Sequence, residues 1–328
     1  MALVAGLALL VAAPPAGAAR VDGLYQAEVE LVDGREAAFR AALGKVLVRV
    51  TGRRDAAQRP ELAELLDNAA AYAQQFRQPA PDRLWAAFDG AALERELTRL
   101  EQPVWGAERP STLLWIAVDA GGGKRFVVAS GAELAEEADV RAQAVEAARE
   151  RGIPVVFPLM DAEDRARASF AEVWGGFEDS ILAASQRYGA DAVLVGRLAA
   201  GDMGHGRWTL YGADGAERWS GGVADSIGRL ADGFAARFAV VSSGGARTIR
   251  VAVAGVDTVE DYGRISQFLG RLTAVQSFGV ESVERDQVVF RVAMRGEPAT
   301  LDEAVRLGGV LRPAAGQPGH DLSYRVAR

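Results

Sequence analysis

The sequence predicts an α/β protein, α+β overall, whose central domain has parallel strands in a three-layer-like arrangement. Residues 113–118 and 153–157 are continuously apolar, which indicates strands that are covered on both faces. Apolar stripes at helical spacing separate these strands from each other and from a third strand at 192–196. A strand-helix-strand-helix-strand order implies parallel pairing with right-handed crossovers.

A chain of 328 residues is too long for one compact core, so several domains are expected. We predict a signal peptide (1–19), an N-terminal α/β unit (20–108), a central α/β domain (109–242) and a C-terminal ferredoxin-like unit (246–328). A short polar joint, Ser242-Ser243-Gly244-Gly245, precedes the last unit.

The N-terminal unit begins with an alternating pattern at 25–31, which predicts a half-buried strand. Helical spacing then predicts helices at 39–50, 61–76 and 91–100, with a strand at 83–88 before the last of them. We expect Pro79 and Pro81 to end the second helix.

The central domain is expected to close with a hairpin around Asp214-Gly215 and a helix over 226–241. Trp208 and Trp219 lie on the two arms of this hairpin, where they can pair across the strands or form an aromatic ligand-binding patch. Beyond the joint, the pattern predicts a βαββαβ order, which is typical of a ferredoxin-like unit.

The N-terminal segment has the features of an export signal. Residues 2–13 are small and apolar, and Ala16-Gly17-Ala18-Ala19 offers a cleavage site near Ala18 or Ala19. We therefore predict a periplasmic protein. The apolar run is too short to span a bilayer, so no transmembrane anchor is expected in the mature chain.

Composition excludes several classes of function. The net charge of −7 disfavours nucleic acid and anionic lipid surfaces as partners. The sequence has no cysteine, which excludes disulfides, thiolate metal sites and the lipid-modified cysteine of a lipoprotein. The two histidines are far apart in sequence, and no cofactor is expected.

A glycine-rich motif, Gly121-Gly122-Gly123-Lys124, superficially resembles a phosphate-binding loop. The first glycine of that motif is replaced by Val118, and Arg125 stands where a hydroxyl residue is required. We interpret the motif as a hairpin turn.

Three carboxylates are the candidate site residues for metal or acid–base chemistry: Asp119, Asp161 and Asp164. They follow predicted parallel strands, at whose carboxyl ends ligands tend to bind. Together they can hold a hard cation or act as acid and base. Alternatively, Asp161-Ala162-Glu163-Asp164 caps the N-terminus of a helix.

Five stretches form a recognisable set: 25–29 (YQAEV), 41–52 (AALGKVLVRVTG), 103–110 (PVWGAERP), 151–161 (RGIPVVFPLMD) and 188–197 (YGADAVLVGR). Together they resemble motifs of the DUF2066 family of uncharacterised Gram-negative bacterial proteins. The resemblance implies export and supplies no catalytic residue.

These observations predict an exported, non-enzymatic envelope protein that acts by protein–protein interaction, with other envelope proteins as partners. The alternative is a carboxylate-based, metal-dependent enzyme or a ligand-binding module that uses the strand-end rim of the central domain. A third option is a small-molecule site in the cleft between the central and C-terminal units.

Overall fold

A computed structural model describes residues 19–132, 134–201, 205–212, 215–241, 247–284 and 287–327. The predicted signal sequence up to Ala18 and the predicted joint at Ser242–Gly245 lie outside these ranges. The described helices are α1 (Gly34–Thr51), α2 (Ala63–Asp67), α3 (Gly90–Arg99), α4 (Ala135–Arg151), α5 (Ala162–Arg167), α6 (Phe170–Gly175), α7 (Glu178–Ser185), α8 (Val223–Phe238), α9 (Val259–Leu269) and α10 (Pro298–Leu307).

The strands form four sheets, and the mixed α/β architecture confirms the predicted fold class. The strands are β1 (Ala19–Arg20), β2 (Gln26–Glu30), β3 (Ala73–Ala80), β4 (Arg83–Phe88), β5 (Glu108–Arg109), β6 (Thr112–Gly121), β7 (Lys124–Val127), β8 (Val155–Val156), β9 (Ala192–Ala199), β10 (Gly206–Gly212), β11 (Gly215–Gly221), β12 (Arg247–Ala254), β13 (Val275–Glu284), β14 (Gln287–Met294), β15 (Leu311–Pro313) and β16 (Leu322–Val326).

The central sheet has the order β11-β10-β9-β6-β7, and β8 also pairs with β6. Both β8 and β9 run parallel to β6, as the sequence predicts. Alternate residues of β6 face opposite sides: Leu114 and Ile116 pack with α4 and α8, whereas Trp115 packs with α6 and α7. Helices therefore cover both faces of this sheet, which explains why its strands are apolar throughout.

In the N-terminal unit, α1 packs on an antiparallel sheet of order β2-β4-β3. The predicted helix at 61–76 is wrong in its second half, because α2 ends at Asp67 and residues from Ala73 onward form β3. The exposed edge of β4 gives this segment backbone partners, and pairing overrides its local propensity. Pro79 is tolerated because β3 is an edge strand, where a missing N–H breaks no ladder.

The C-terminal unit has the order β13-β14-β12-β16-β15, with α9 and α10 on one face. The predicted βαββαβ succession is present, but the structure adds β15 after α10. Strand β15 pairs with β16 in an antiparallel arrangement, and β16 in turn pairs with β12 in a parallel one. A three-residue strand is too short to leave an alternating pattern in the sequence.

The N-terminal unit and the central domain meet at Arg109, whose side chain is fully buried. Its Nε donates to the carbonyl of Gly106 at 2.8 Å. Nη1 donates to the carbonyls of Arg151 and Gly152 at 3.1 Å, and Nη2 donates to those of Arg49 and Trp105 at 2.8 Å. All five N–H groups of the guanidinium are thereby satisfied without a carboxylate.

Gly152 is required beside this guanidinium for two reasons. It ends α4 in the left-handed conformation with φ +66°, which glycine adopts without a steric penalty. A Cβ atom at this position would lie 2.7 Å from Nη1 of Arg109. Backbone conformation and close packing therefore both select glycine.

We expect Arg109→Ala to lower the free energy of unfolding by about 3 kcal/mol or more, because it leaves buried carbonyls without donors. Arg109→Lys should also destabilise the protein, since an ammonium has three donors where the guanidinium has five. Urea denaturation of the full chain measures both changes.

Arg99→Ala is the matched control, because Arg99 is an exposed arginine that pairs with Glu96 on α3. This change should cost no more than about 0.5 kcal/mol. An Arg109→Lys variant as stable as the wild type would show that charge alone, and not the five-donor geometry, stabilises this contact.

Candidate functional site

The carboxyl ends of the central strands border a cleft of about 550 Å³, which we call the strand-end cleft. It lies between the β6–β7 hairpin, the segment that leads into α4, and the segment between β8 and α6. Its lining is formed by Arg125, Phe126, Val127, Ala129, Gly131, Leu134, Glu137, Leu159, Met160, Asp161, Arg165, Ser169 and Phe170. Sequence reasoning pointed to this edge of the sheet, and a cleft is present there.

Asp119 lies near the end of β6, and both of its carboxylate oxygens have protein partners. Oδ1 accepts from the backbone N–H of Gly121 at 3.1 Å, and Oδ2 accepts from Nε of Arg125 at 2.9 Å. The Gly121 hydrogen bond, and after it that of Arg125, lowers the pKa of Asp119. This carboxylate stabilises the β6–β7 hairpin.

That hairpin contains the glycine-rich motif, and the interpretation as a turn is confirmed. Gly121, Gly122 and Gly123 all have positive φ angles, +79°, +61° and +84°. Residues with side chains rarely adopt this conformation. The three glycines therefore reverse the chain between β6 and β7.

Asp161 caps α5, as the alternative reading of the sequence proposed. Its Oδ1 accepts from the backbone N–H of Asp164 at 3.0 Å. Arg187 donates two hydrogen bonds to the same carboxylate, from Nη1 to Oδ1 at 2.9 Å and from Nη2 to Oδ2 at 3.0 Å. Arg187 is the main reason that the pKa of Asp161 falls to about 2, and the Asp164 N–H adds to the effect.

Asp164 is fully buried next to Asp161 and organises the preceding loop. Its Oδ2 accepts from the backbone N–H of Met160 at 2.9 Å and from the hydroxyl of Tyr188 at 2.5 Å. Its Oδ1 lies 3.2 Å from Nη1 of Arg187. The buried carboxylate is thus fully engaged by protein donors, in accordance with the rule for buried charges.

Tyr188 connects this network to the cleft. Its hydroxyl accepts from the backbone N–H of Leu159 at 2.8 Å while it donates to Asp164. Burial, and after it the bond to Asp164, raises the pKa of Tyr188 to about 12. Between these anchored positions, Met160 adopts φ +51°, a left-handed conformation that costs free energy in a residue with a side chain. The network holds the loop in this shape.

Asp161 and Asp164 therefore belong to one network with Arg187 and Tyr188, whereas Asp119 belongs to the hairpin with Arg125. In the described ranges, no group of three or more histidine, aspartate or glutamate side chains is arranged to hold a metal ion. Arg187 and Tyr188 were missed as site residues. Their signal in the sequence is weak, because they lie more than 20 residues along the chain from the aspartates that they contact.

The surface of the cleft combines exposed apolar side chains with charged ones of both signs, namely Arg125, Arg165, Glu137 and Asp161. Leu159 is 55% exposed and Leu134 is 46% exposed. Phe170 stacks with Trp174 at 5.4 Å between ring centroids and forms the wall beneath Arg125. Arg165 is exposed on the rim, and no carboxylate in the described ranges lies within ion-pair distance of it. This combination suits an apolar group that is accompanied by a negative charge.

The tryptophan hairpin has the register that the sequence suggests, with Trp208 directly opposite Trp219. Trp208 is 1% exposed and donates from Nε1 to the carbonyl of Gly221 at 2.9 Å. Trp219 lies under the guanidinium of Arg229, 5.1 Å from its ring centroid. Trp208 is thus a core residue, and it presents no ring surface to a ligand.

The contact between the central and C-terminal units contains a cavity of about 30 Å³. Trp105, Phe238 and Val240 pack there against Leu272 and Ala304. This volume is on the order of one water molecule, so the cleft considered as a small-molecule site is closed. In the part of the chain that the structure describes, no helix has the length and apolar character needed to span a membrane.

Comparison with known proteins corrects the resemblance drawn from the motifs. Residues 18–106 match the family described as "Domain of unknown function (DUF8605)", which differs from DUF2066. The DUF2066 assignment is therefore wrong. Its motifs 41–52 and 151–161 are explained by the ends of α1 and α4 and by the strand after α4, features that recur in many α/β folds.

No curated protein matches the chain. Among solved structures, the chain is similar to the prolyl-tRNA synthetase of Cryptosporidium parvum in complex with L-proline and AMP, with 9% sequence identity and a TM-score of 0.24. The match covers 66% of this chain and 47% of the synthetase chain, which is about half of its length. Similarity at this level carries no functional argument.

The Asp161–Arg187 pair predicts a specific pH dependence of stability. A carboxyl whose folded pKa is depressed stabilises the fold above its unfolded pKa of about 3.9, and this contribution is lost as pH falls through the folded value. We expect Asp161→Asn, which can still cap α5, to be less stable than the wild type at neutral pH. The difference should shrink between about pH 4 and pH 2.

Urea denaturation of both chains across this pH range tests the prediction. Glu163→Gln provides the control on the same helix, because Glu163 is exposed and lies farther from Arg187, at 3.5 Å. Its stability should differ little from that of the wild type at any pH. A difference for Asp161→Asn that is constant with pH would contradict the assigned role of the charge.

Proposed function

We propose that this protein is an exported envelope protein that acts by binding another protein through the strand-end cleft. The proposal rests on two exposed leucines, Leu134 and Leu159, that line the same cleft as Arg165. In the described ranges, Arg165 has no carboxylate as an ion-pair partner. Exposed apolar residues beside a rim of charge are typical of interaction sites. The partner would present an apolar side chain next to a carboxylate.

The alternative, a carboxylate-based metal-dependent enzyme, requires oxygens that are free to bind a cation or exchange a proton. Asp161 instead accepts two hydrogen bonds from Arg187, and Asp119 accepts one from Arg125. Both carboxylates are ionised near neutral pH, where a general acid must carry a proton, and these partners lower their pKa values further. This geometry supports binding over acid–base chemistry.

One wall of the cleft is held in place by hydrogen bonds, which favours recognition. The loop that carries Leu159 is anchored by Tyr188 and Asp164 through two backbone N–H groups. A surface that is already ordered loses less conformational entropy on association. The strained conformation of Met160 is maintained by the same contacts.

A photoreactive phenylalanine analogue at position 159 tests the binding surface in living cells. We expect irradiation to join the protein to one partner of defined mass, because Leu159 faces the cleft. The matched control carries the same analogue at Val259, which is 82% exposed on α9 in the C-terminal unit. Arg165→Glu in the first variant should abolish the adduct by repelling the carboxylate of the partner.

The absence of an adduct from position 159, or identical adducts from positions 159 and 259, would refute the cleft as the binding surface. An adduct that persists in the Arg165→Glu variant would refute the proposed acidic character of the partner.

The export proposal has its own test. Cleavage after Ala18 would leave Ala19 and Arg20, which pair with Arg109 and Glu108 in the sheet of β1 and β5. We expect a C-terminally tagged full chain to appear in the periplasmic fraction, with an N-terminus at Ala19 or Arg20 by peptide sequencing. Recovery in the cytosol with an intact N-terminus would rule out export.

A further inference from the structure

A second cavity, of about 600 Å³, opens at the edge of the C-terminal sheet. It lies between the loop after β12 and the end of β15, away from the strand-end cleft. Arg312 of β15 and Arg325 of β16 both line it, and we call it the arginine cavity. The remaining lining is Gly255, Asp257, Pro313, Ala314, Ala315 and Val326.

The two arginines are direct cross-strand neighbours. Arg312 pairs with Arg325 in the antiparallel register of β15 and β16, so their side chains project from the same face. Directly opposite residues of such strands have Cβ atoms about 5 Å apart, where like charges destabilise the pair. Both residues are exposed, on the face opposite the buried Tyr324 and Val326.

Other arginines of this unit are neutralised by carboxylates. Arg250 and Arg291 both pair with Glu281. Arg264 pairs with Asp261, and Arg306 pairs with Asp302. Within the described ranges, by contrast, no carboxylate lies within ion-pair distance of Arg312 or Arg325. The register of β15 and β16 therefore brings two arginines without an ion-pair partner to one cavity, which Asp257 also lines.

We propose that the arginine cavity binds the phosphate group of a phosphate monoester. Two guanidinium groups balance a phosphate monoester, which carries about −1.5 to −2 charges at neutral pH. Their planar donor forks also match phosphate oxygens. The volume of the cavity leaves room for an organic group beside the phosphate.

The test uses thermal unfolding of the full chain with inorganic phosphate or glycerol 3-phosphate, at ionic strength held constant with sodium chloride. We expect a saturable rise in Tm, because a ligand that binds the native state stabilises it. Glycerol 3-phosphate should bind more tightly than inorganic phosphate, because the cavity of about 600 Å³ has room for its organic group. Arg312→Gln and Arg325→Gln should each weaken binding by about tenfold or more.

Arg271→Gln is the control, because Arg271 is an exposed arginine of the same unit that does not line the cavity. Its phosphate response should equal that of the wild type. Without phosphate, Arg325→Gln should unfold no earlier than the wild type, since it removes the repulsion from Arg312. This comparison separates loss of binding from loss of folding.

Flotation with phosphatidylcholine vesicles, with and without phosphatidic acid, distinguishes a lipid headgroup from a soluble ester. Binding to phosphatidic acid that requires both arginines, without a response to glycerol 3-phosphate, would support the site and identify a lipid source. The absence of a saturable response to every probe, or equal responses in wild type and Arg325→Gln, would overturn the proposal.

Discussion

The guanidinium of Arg109 occupies the place where the N-terminal unit, the central domain and the segment between them converge. It is buried completely, and its acceptors are backbone carbonyls rather than a carboxylate. Two of these acceptors, Arg49 and Arg151, lie in the last turns of α1 and α4. The C-terminus of a helix carries a partial negative charge, so two helix ends together supply the compensation that an acidic residue would otherwise provide.

Two more arginines extend this arrangement. Arg49 donates to the carbonyls of Gly23 and Gln26, and Arg151 donates to the carbonyl of Gly52 and to the carboxylate of Asp232. Burial is the main cause that lowers the pKa of Arg109 to about 9 and that of Arg49 to about 10, so both remain charged at neutral pH. Buried charge without full hydrogen bonding is strongly unfavourable. The relative placement of α1, α4 and α8 is therefore tightly constrained by these three side chains.

The sequence predicts those parts of the fold that depend on local pattern. The apolar run of β6 and the hairpin of Gly121, Gly122 and Gly123 follow from residues that are close in sequence. Strand β3 and strand β15 do not, because both exist through pairing with a neighbour that the sequence does not specify. The burial of Arg109 was not predicted, because nothing in the local sequence distinguishes a buried arginine from a solvated one.

In the candidate site, too, the sequence predicts the local features and misses those that depend on distant segments. Of Asp119, Asp161 and Asp164, only Asp161 lines the strand-end cleft, and its capping of α5 is a local signal. The decisive partners, Arg187 and Tyr188, come from the end of α7, and their approach depends on the whole crossover between β8 and β9. Chemistry inferred from the carboxylates alone was therefore incomplete, because the counter-charge that fixes their protonation state lies more than 20 residues away along the chain.

Charge compensation also separates structural arginines in this molecule from those that we propose to bind a ligand. Arg109, Arg151 and Arg187 are each surrounded by acceptors that the fold itself supplies, and each holds two or more segments together. Arg165, Arg312 and Arg325 have no such acceptor in the described part of the chain, yet each lines a cleft or cavity. Solvent alone can satisfy an exposed guanidinium, so exposure is not sufficient to indicate a ligand. Arg312 and Arg325 differ from a single exposed arginine because they are cross-strand neighbours, a position where like charges are unfavourable and a bound anion would be stabilising.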